Sequence, residues 1–407
     1  MSAVSAASGA PGWAADERLA RAAWSRLVEP GDPLAGSVLA SLGPVEAVAV
    51  VRAGQRAAAS PLVEAGALLD GPRSTRALDA ALERWRVRLT TLDPVRDVAS
   101  VERRGGRLVV PGDAEWPVGL DDLGDGAPAC LWVLGSASVA QAAARSVAVV
   151  GARACTPYGE RIAADLAAGA VDRGVAVVSG GAYGIDGAAH RGALAAGGPT
   201  LAVLACGVDR VYPRGHDQLL ARVAEAGALV SEVPPGSAPT RWRFLERNRL
   251  IAALAGATVV VEAAWRSGAL GTASRAAGLL RPLGAVPGPV TSAASAGCHR
   301  LLRDSAATCI TDTADLLELV DAVGTALPEP PAGVPVADHD GLDPQDLRVL
   351  DALPRRSGRP VESLAQVAGL PADAVAGSLG RLSLTGLAER SPGGGGWRRA
   401  PRPTRGP

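Results

Sequence analysis

Between Val101 and Val320, short β-branched runs alternate with Ala-rich stretches of helical period, which leaves the chain few folds to choose from. The runs are SVAVVG (146–151), VAVVS (175–179), TLAVLAC (200–206), ALVSEV (228–233), ATVVVEA (257–263) and PLGAVPG (282–288). Each is almost continuously apolar, as expected of a strand buried on both faces. The segments between them, roughly 10 to 18 residues each, are long enough for a covering helix. The pattern predicts an α/β domain: a Rossmann-like, doubly wound, mostly parallel sheet with helices on both sides.

The flanks read differently. From Asp16 to about Trp85, helical spacing in ERLARAAWSRLV, DPLAGSVLASLG, PVEAVAVVRAG and ALDAALERWRVRL is broken by short Gly/Pro punctuation. This predicts a small all-α domain over 16–96, preceded by a disordered leader over 1–15. SLGPVEAV is similar to the Gly turn of helix-hairpin-helix and SAM-like modules. The α/β domain then covers 97–320. The Pro-, Ala- and Gly-rich stretch that follows is a linker over 321–341. Residues 342–400 read as three helices and a strand–Gly turn–strand, a C-terminal winged helix, with 401–407 as a tail. The third helix carries only Arg381 as a cation, and the basic residues gather in the wing at Arg398 and Arg399. DNA reading and protein contact are both open for this module.

The 41 basic residues are all Arg and are matched by 41 acidic ones, so a polyanion site must come from local clustering, not from a global field. Cysteines at 130, 155, 206, 298 and 309 are odd in number, contain no CxxC and have no accompanying His cluster. Neither a disulfide framework nor a zinc site is indicated, and no metal or cofactor is called for. A basic leader followed by an apolar core is missing, and no apolar run reaches 18 residues. A cytoplasmic protein without a membrane partner is expected.

Residues 241–251, RWRFLERNRLI, concentrate four arginines and two aromatics in eleven positions. On a helix Phe244, Arg247 and Asn248 share a face. Arginine forks suit phosphates and an aromatic ring suits an unpaired base, while a solvated helix start with its aromatics turned inward is the plain alternative. Three Gly-rich turns follow strands. GARACTPYG (151–159) feeds a helix capped by Thr156 with Pro157 at its first position, and carries Arg153. SGGAYGIDGAAH (179–190) has glycines at 180, 181 and 184. RSGALGT (266–272) is the third. In a doubly wound sheet such turns meet outside the carboxyl ends of the strands. Asp186 and His190, four apart on a helix, read as a helix-start carboxylate bonded to a packed histidine in preference to an acid/base pair. GCHRLLR (297–303) adds two arginines and His299, with surface exposure as the expectation.

The ordered set GARACTPYG, SGGAYGIDGAAH, AVLACGVDRVYP, SEVPPGSAPTRWRFLERNRLIAALA, VVVEAAWRSGALGTA and AVPG resembles the Smf/DprA family of DNA-processing proteins, from about Asp113 to Leu319. The resemblance implies sequence-independent binding of single-stranded DNA and dimerisation through the α/β domain. It also implies displacement of single-strand-binding protein and loading of the RecA recombinase, as in natural transformation and recombination. It places DNA contacts on Gly151, Arg153, Ser179, Gly180, Gly181 and Ala182. It adds Phe244, Arg247, Asn248 and Arg249, with Arg241 and Arg243 upstream, and Ser267, Gly268 and Leu270. Departures are Ala152, where the family commonly has Ser, His299 near a usual Asn, and arginines at 241 and 243 where Lys is common.

The resemblance implies a binding protein, not an enzyme. The alternative is a nucleotide hydrolase similar to the phosphoribohydrolases, but their PGGxGTxxE motif is replaced here by SGALGTA. No carboxylate follows at that spacing, and Arg275 is the nearest charged residue. A winged-helix regulator with the α/β domain as ligand sensor is a third reading, weakened by the poorly basic third helix.

Overall fold

The computed structural model describes residues 11–54, 72–321, 342–392 and 395–401. Residues 1–10 of the expected leader, nearly all of the expected linker and most of the tail lie outside the described residues. Within the expected leader, Gly12–Ala15 instead form a 3₁₀ turn. Asp16 N–H closes it on Trp13 O at 3.0 Å, and Trp13 packs against the helical core behind it. The chain forms two compact units, Met1–Leu327 and Pro328–Pro407.

The first unit is built on nine strands: β1 Gly106–Val109, β2 Leu131–Leu134, β3 Ser146–Val150, β4 Ala176–Ser179, β5 Thr200–Leu204, β6 Ala228–Ser231, β7 Ala257–Val260, β8 Leu283–Ala285 and β9 Thr308–Cys309. Their order is β1-β2-β6-β5-β4-β3-β7-β8-β9. From β6 to β9 all neighbours are parallel, whereas β2 runs antiparallel to β6 and β1 antiparallel to β2. All six expected strands form. The antiparallel edge and the exposed two-residue β9 were not foreseen.

Alternation along each strand divides the apolar residues between two faces. Ala148, Val150, Val178 and Val203 pack under the helices Arg241–Leu254 and Ala269–Gly278. Val147, Val149, Val177 and Val259 pack under Pro157–Asp172, Ile185–Ala195 and Thr313–Val320. The chain leaves β3 in one direction through β4, β5 and β6, then returns to place β7 on the other side of β3. That reversal opens a crevice between the carboxyl ends of β3 and β7, the usual ligand position in such sheets.

The N-terminal helices Glu17–Leu27, Pro33–Ala53 and Pro72–Arg86 enclose Trp24, Leu27, Val38, Val48, Leu78, Leu82 and Trp85, with the Trp24 and Trp85 rings edge-on at 5.3 Å. They share the sheet's compact unit: Ala22 and Val101 join Leu108 and Trp132 in a single cluster. Pro33–Ala53 is long and apolar enough by composition to cross a membrane. Gly43, at φ 73°, bends it before Pro44, and Val38, Ala47, Val48 and Val51 are buried on it.

The second unit packs Pro344–Ala352, Val361–Ala368 and Ala372–Leu384 around Val349, Leu350, Leu364, Val375, Leu379 and Leu382. The hairpin of β10 Ala388–Arg390 and β11 Trp397–Arg399 completes the winged helix. Arg381, the third helix's lone cation, is paired with Asp346 at 2.6 Å. That hydrogen-bonded guanidinium holds the Asp346 carboxyl below the usual range.

One buried group gives the first unit a pH signature. Thr200 Oγ1 donates to Val177 O at 2.9 Å, so His190 Nδ1, 2.8 Å away, is the donor to Thr200 Oγ1, and its Nε2 is buried without a partner among the described residues. Burial, reinforced by His216 and Arg247, lowers its pKa from 6.5 to about 3. Below pH 6.5 the unfolded chain takes up this proton while the folded chain refuses it until about pH 3. The contribution is therefore present above pH 6.5 and lost as pH falls through that window, at about 1.4 kcal/mol per pH unit. Urea unfolding followed at several pH values in this range should show a slope smaller by about that amount in His190→Gln than in the parent chain.

Candidate nucleic-acid interface

The crevice is assembled from backbone contacts that tolerate little alteration. At the end of β3, a Cβ on Gly151 would lie 2.5 Å from Ile185 Cγ1 and 2.8 Å from Glu262 O, so the strand can leave the sheet here only as glycine. Ala152 N–H donates to Glu262 O at 2.7 Å, and Ile185 N–H donates to Ala152 O at 3.2 Å. The loops after β3, β4 and β7 are thereby tied together. The buried Glu262 carboxylate accepts from Thr156 N–H at 2.8 Å and Thr156 Oγ1 at 2.6 Å. Thr156 Oγ1 in turn accepts from Gly159 N–H, capping the helix Pro157–Asp172. Glu262 was not singled out in the sequence, where it reads only as the end of a strand.

The loop after β4 turns through Gly181 and Gly184 at φ 67° and 76°. Asp186 accepts from the N–H groups of Gly180 (3.2 Å) and Ala182 (3.4 Å) and so fixes this turn from below. The expected Asp186–His190 bond is not the arrangement found. Asp186 faces the loop, while His190 turns to Thr200 between helix and sheet.

Arg247 joins this loop to the helix Arg241–Leu254. Its guanidinium is buried and donates from Nη1 to Val203 O at 2.6 Å. It rests on Gly180, where a Cβ would approach Nη1 to 1.9 Å. Burial lowers the Arg247 pKa and raises that of Asp186, and the attraction between the two opposes both shifts. The Arg247 Nε is buried without a hydrogen-bond partner among the described residues.

These parts enclose a cleft of about 470 Å³, with Arg247, Phe244 and Asn248 on one wall and Arg153, Ser267 and Gly268 among the residues opposite. Asn248 Nδ2 donates to Gly268 O at 3.3 Å, closing the helix against the loop after β7. The Arg153 guanidinium lies over the Phe244 ring at 4.7 Å, and Tyr212 packs against the same ring at 5.5 Å and 52°. Arg153 is exposed, and Arg153 and Arg266 have no carboxylate partner within salt-bridge distance among the described residues.

The structure thus brings Gly151, Arg153, Ala182, Phe244, Arg247, Asn248, Ser267 and Gly268 to one cleft, with Gly180 directly beneath it. Ser179 is buried behind it and donates to Val149 O, and Gly181 packs toward Leu220. Arg241 is exposed at the start of its helix. Arg243 and Arg249 turn away from the cleft. Arg243 is paired with Glu29 at 2.9 Å, and Arg249, 2% exposed, with Glu232 at 2.6 Å. Trp242, left without a role by the sequence, donates from Nε1 to Pro30 O at 3.2 Å. Leu250 and Ile251 anchor the helix in the core. The turn at 29–31 therefore braces the back of the helix whose front lines the cleft.

Tyr183 and Tyr212, 47% and 41% exposed, flank the cleft beside Phe244 and Pro213 and were missed. A signal was there: the chain has three tyrosines, and each lies just beyond a strand, at 158, 183 and 212. The segment 297–303, expected at the surface, is exposed only at Arg303 and is tied to the loop after β7. Gly297 N–H donates to Ala263 O at 2.7 Å, and Arg300 sits over Trp265 at 5.0 Å. Among the described residues no three His, Cys, Asp or Glu side chains gather as a metal site would require.

A doubly wound sheet with a cationic, aromatic cleft at its switch point, on one chain with a winged helix, defines a Rossmann-like protein with a C-terminal winged helix. Comparison with known proteins narrows the class. The family model for DNA recombination-mediator protein A matches residues 107–321, and that for the DprA winged helix domain matches 330–394. The Mycobacterium tuberculosis protein bearing the name DNA processing protein DprA is 45% identical over 375 residues, which cover 90% of each chain. Protein Smf of Escherichia coli is 38% identical over 253 residues, covering 61% of this chain and 66% of that one. The crystal structure of Streptococcus pneumoniae DprA superposes with a TM-score of 0.57 at 27% identity, covering 75% of this chain and 98% of that one. This chain belongs to the DprA family of DNA-processing proteins.

Two glycines, Gly180 beneath the cleft and Gly268 on its lining, separate packing from chain freedom. Gly180→Ala must displace a buried guanidinium and should lower the first unit's unfolding free energy in urea by about 1–3 kcal/mol. Gly268 has φ −61° and nothing within 4 Å of a Cβ. Gly268→Ala should therefore be neutral or stabilising by up to about 1 kcal/mol in the same measurement.

Proposed function

We propose that this protein binds single-stranded DNA without sequence preference in the cleft between β3 and β7, and that it does so as a recombination mediator without catalysis of its own. The observation that carries this reading is the pairing of Arg247, a buried cation with an unsatisfied N–H, with Phe244, a ring held under Arg153 on the same wall. A buried donor without a partner costs about 1–3 kcal/mol. A phosphate oxygen in the cleft beside Arg247 would bring negative charge to this buried cation, and a small shift of the side chain would offer it the unpartnered N–H. A base displacing Arg153 from Phe244 would take over the stacking surface and free a second guanidinium for the backbone. Duplex DNA offers phosphates but keeps its bases paired, so it would use only half of this equipment.

The hydrolase reading needs a free carboxylate at the cleft. Asp186, which lines the cleft, is committed to the N–H groups of Gly180 and Ala182, and Glu262 at the end of β7 is committed to Thr156. The regulator reading is weakened by the pairing of Arg381 with Asp346. In the cell, the family resemblance extends the reading to a cytoplasmic homodimer that receives single strands coated by single-strand-binding protein and passes them to the RecA recombinase. A pull-down of RecA that depends on added single strand would support this extension.

The binding reading is tested by fluorescence anisotropy with a labelled oligo-dT, without ATP or metal. Phe244→Ala should weaken binding by about 1–3 kcal/mol, the value of one base–aromatic stack. Log affinity should fall linearly with log salt, and Arg247→Met should reduce that slope by about 0.7, the contribution of one phosphate contact on a single strand. An unchanged affinity in Phe244→Ala together with an unchanged slope in Arg247→Met would overturn the reading.

A further inference from the structure

The loop after β7 carries a feature that the cleft itself does not use. Trp265 is 54% exposed, and the guanidinium of Arg300 lies over its ring at 5.0 Å. Its neighbours Ala264 and Arg266 both line the cleft, so the indole stands at the rim where a strand leaving Ser267 and Gly268 would pass. The segment bearing Arg300 is fixed to this rim by Gly297 N–H donating to Ala263 O at 2.7 Å and by His299 Nε2 donating to Gly288 O at 2.9 Å. Neither Arg266 nor Arg300 has a carboxylate within salt-bridge distance among the described residues.

The arrangement repeats the one inside the cleft, where Arg153 covers Phe244 at 4.7 Å. The Phe244 helix follows β6 and the Trp265 loop follows β7, so the two rings arise at the same carboxyl-end edge of the sheet. An exposed indole beside two cations without carboxylate partners among the described residues offers both a stacking face and positive charge. It is well matched to a chain that alternates phosphates with flat π-faces. We propose that Trp265 and Arg300 form a second stacking station for single-stranded DNA, taking a base of the strand whose earlier base lies on Phe244, with Arg266 on the phosphate between. The inference rests on the cleft being the single-strand site. It adds a minimum length: a strand must pass beyond the cleft before Trp265 contributes.

The test is a ladder of dT oligomers, from about 4 to about 16 nucleotides, titrated into the full chain, Trp265→Ala, Trp265→Phe and Phe244→Ala. Phe244→Ala should weaken every rung. Trp265→Ala should leave the shortest rungs unchanged and weaken the longer ones on the order of ten- to a hundredfold, with Trp265→Phe recovering most of the loss. Quenching of intrinsic tryptophan fluorescence by long oligomers should be reduced in both Trp265 variants. If Trp265→Ala binds every rung like the parent while Phe244→Ala is impaired, the second station is wrong and the cleft reading stands. If Phe244→Ala is also unimpaired, the cleft reading fails instead. An equal loss at all lengths in Trp265→Ala would overturn the separate station. So would a shift of Trp265→Ala toward monomer in sedimentation with no length dependence, which would assign the indole to contact between copies of this chain.

Discussion

The candidate site depends on one buried guanidinium. Arg247 leaves its helix, passes beneath the cleft and ends on Val203 O, over a glycine that alone leaves it room. Burying such a cation is costly unless its charge and donors are met. Here the opposing carboxylate of Asp186 meets the charge in part, and that carboxylate also organises the loop beneath. Helix, loop and strand end are thus coupled through a single side chain whose buried Nε has no hydrogen-bond partner among the described residues. An apolar residue at 247 would leave Asp186 uncompensated and Gly180 without a reason.

Around that centre the fold supplies rigidity. The crevice lies where strand order reverses, and Glu262 and Thr156 clamp the loop after β3 to the end of β7. Behind the helix Arg241–Leu254, the Glu29–Arg243 pair and the Trp242–Pro30 hydrogen bond attach it to the N-terminal helices. Those helices share a core with the sheet through Ala22, Val101 and Trp132. In this chain the helical segment works as a brace for the helix that lines the cleft and not only as an appended module.

Much of this was legible in the sequence because both-face burial writes long apolar runs, and the six runs marked six strands. The antiparallel edge of β1 and β2 was not, since strand direction is set by contacts between strands that no single run records. The cleft glycines, Phe244, Arg247 and Asn248 were legible from turn chemistry, helical spacing and family likeness. The division among the arginines was not. Arg243 and Arg249 look equivalent to Arg247 along the chain, but their fates depend on Glu29, more than two hundred positions away, and on Glu232. Trp265 was not singled out, and Arg300 was read only as part of a surface segment, because only the fold shows that residues 263 and 297 are hydrogen-bonded neighbours. Spacing reveals what one element presents, and tertiary pairing decides which charges stay free.

The central claim is that single-stranded DNA runs through the cleft at the switch point and stacks on its aromatic residues. Photocrosslinking with an oligo-dT carrying 5-iodouracil, followed by mass spectrometry of the peptides, tests it most directly, because the crosslink forms preferentially where a base lies on a ring. The account predicts crosslinks to Phe244 and its neighbour Tyr212, abolished by an excess of unlabelled single strand and little affected by duplex. Crosslinks confined to the winged helix, at Trp397 and its surroundings, would contradict it.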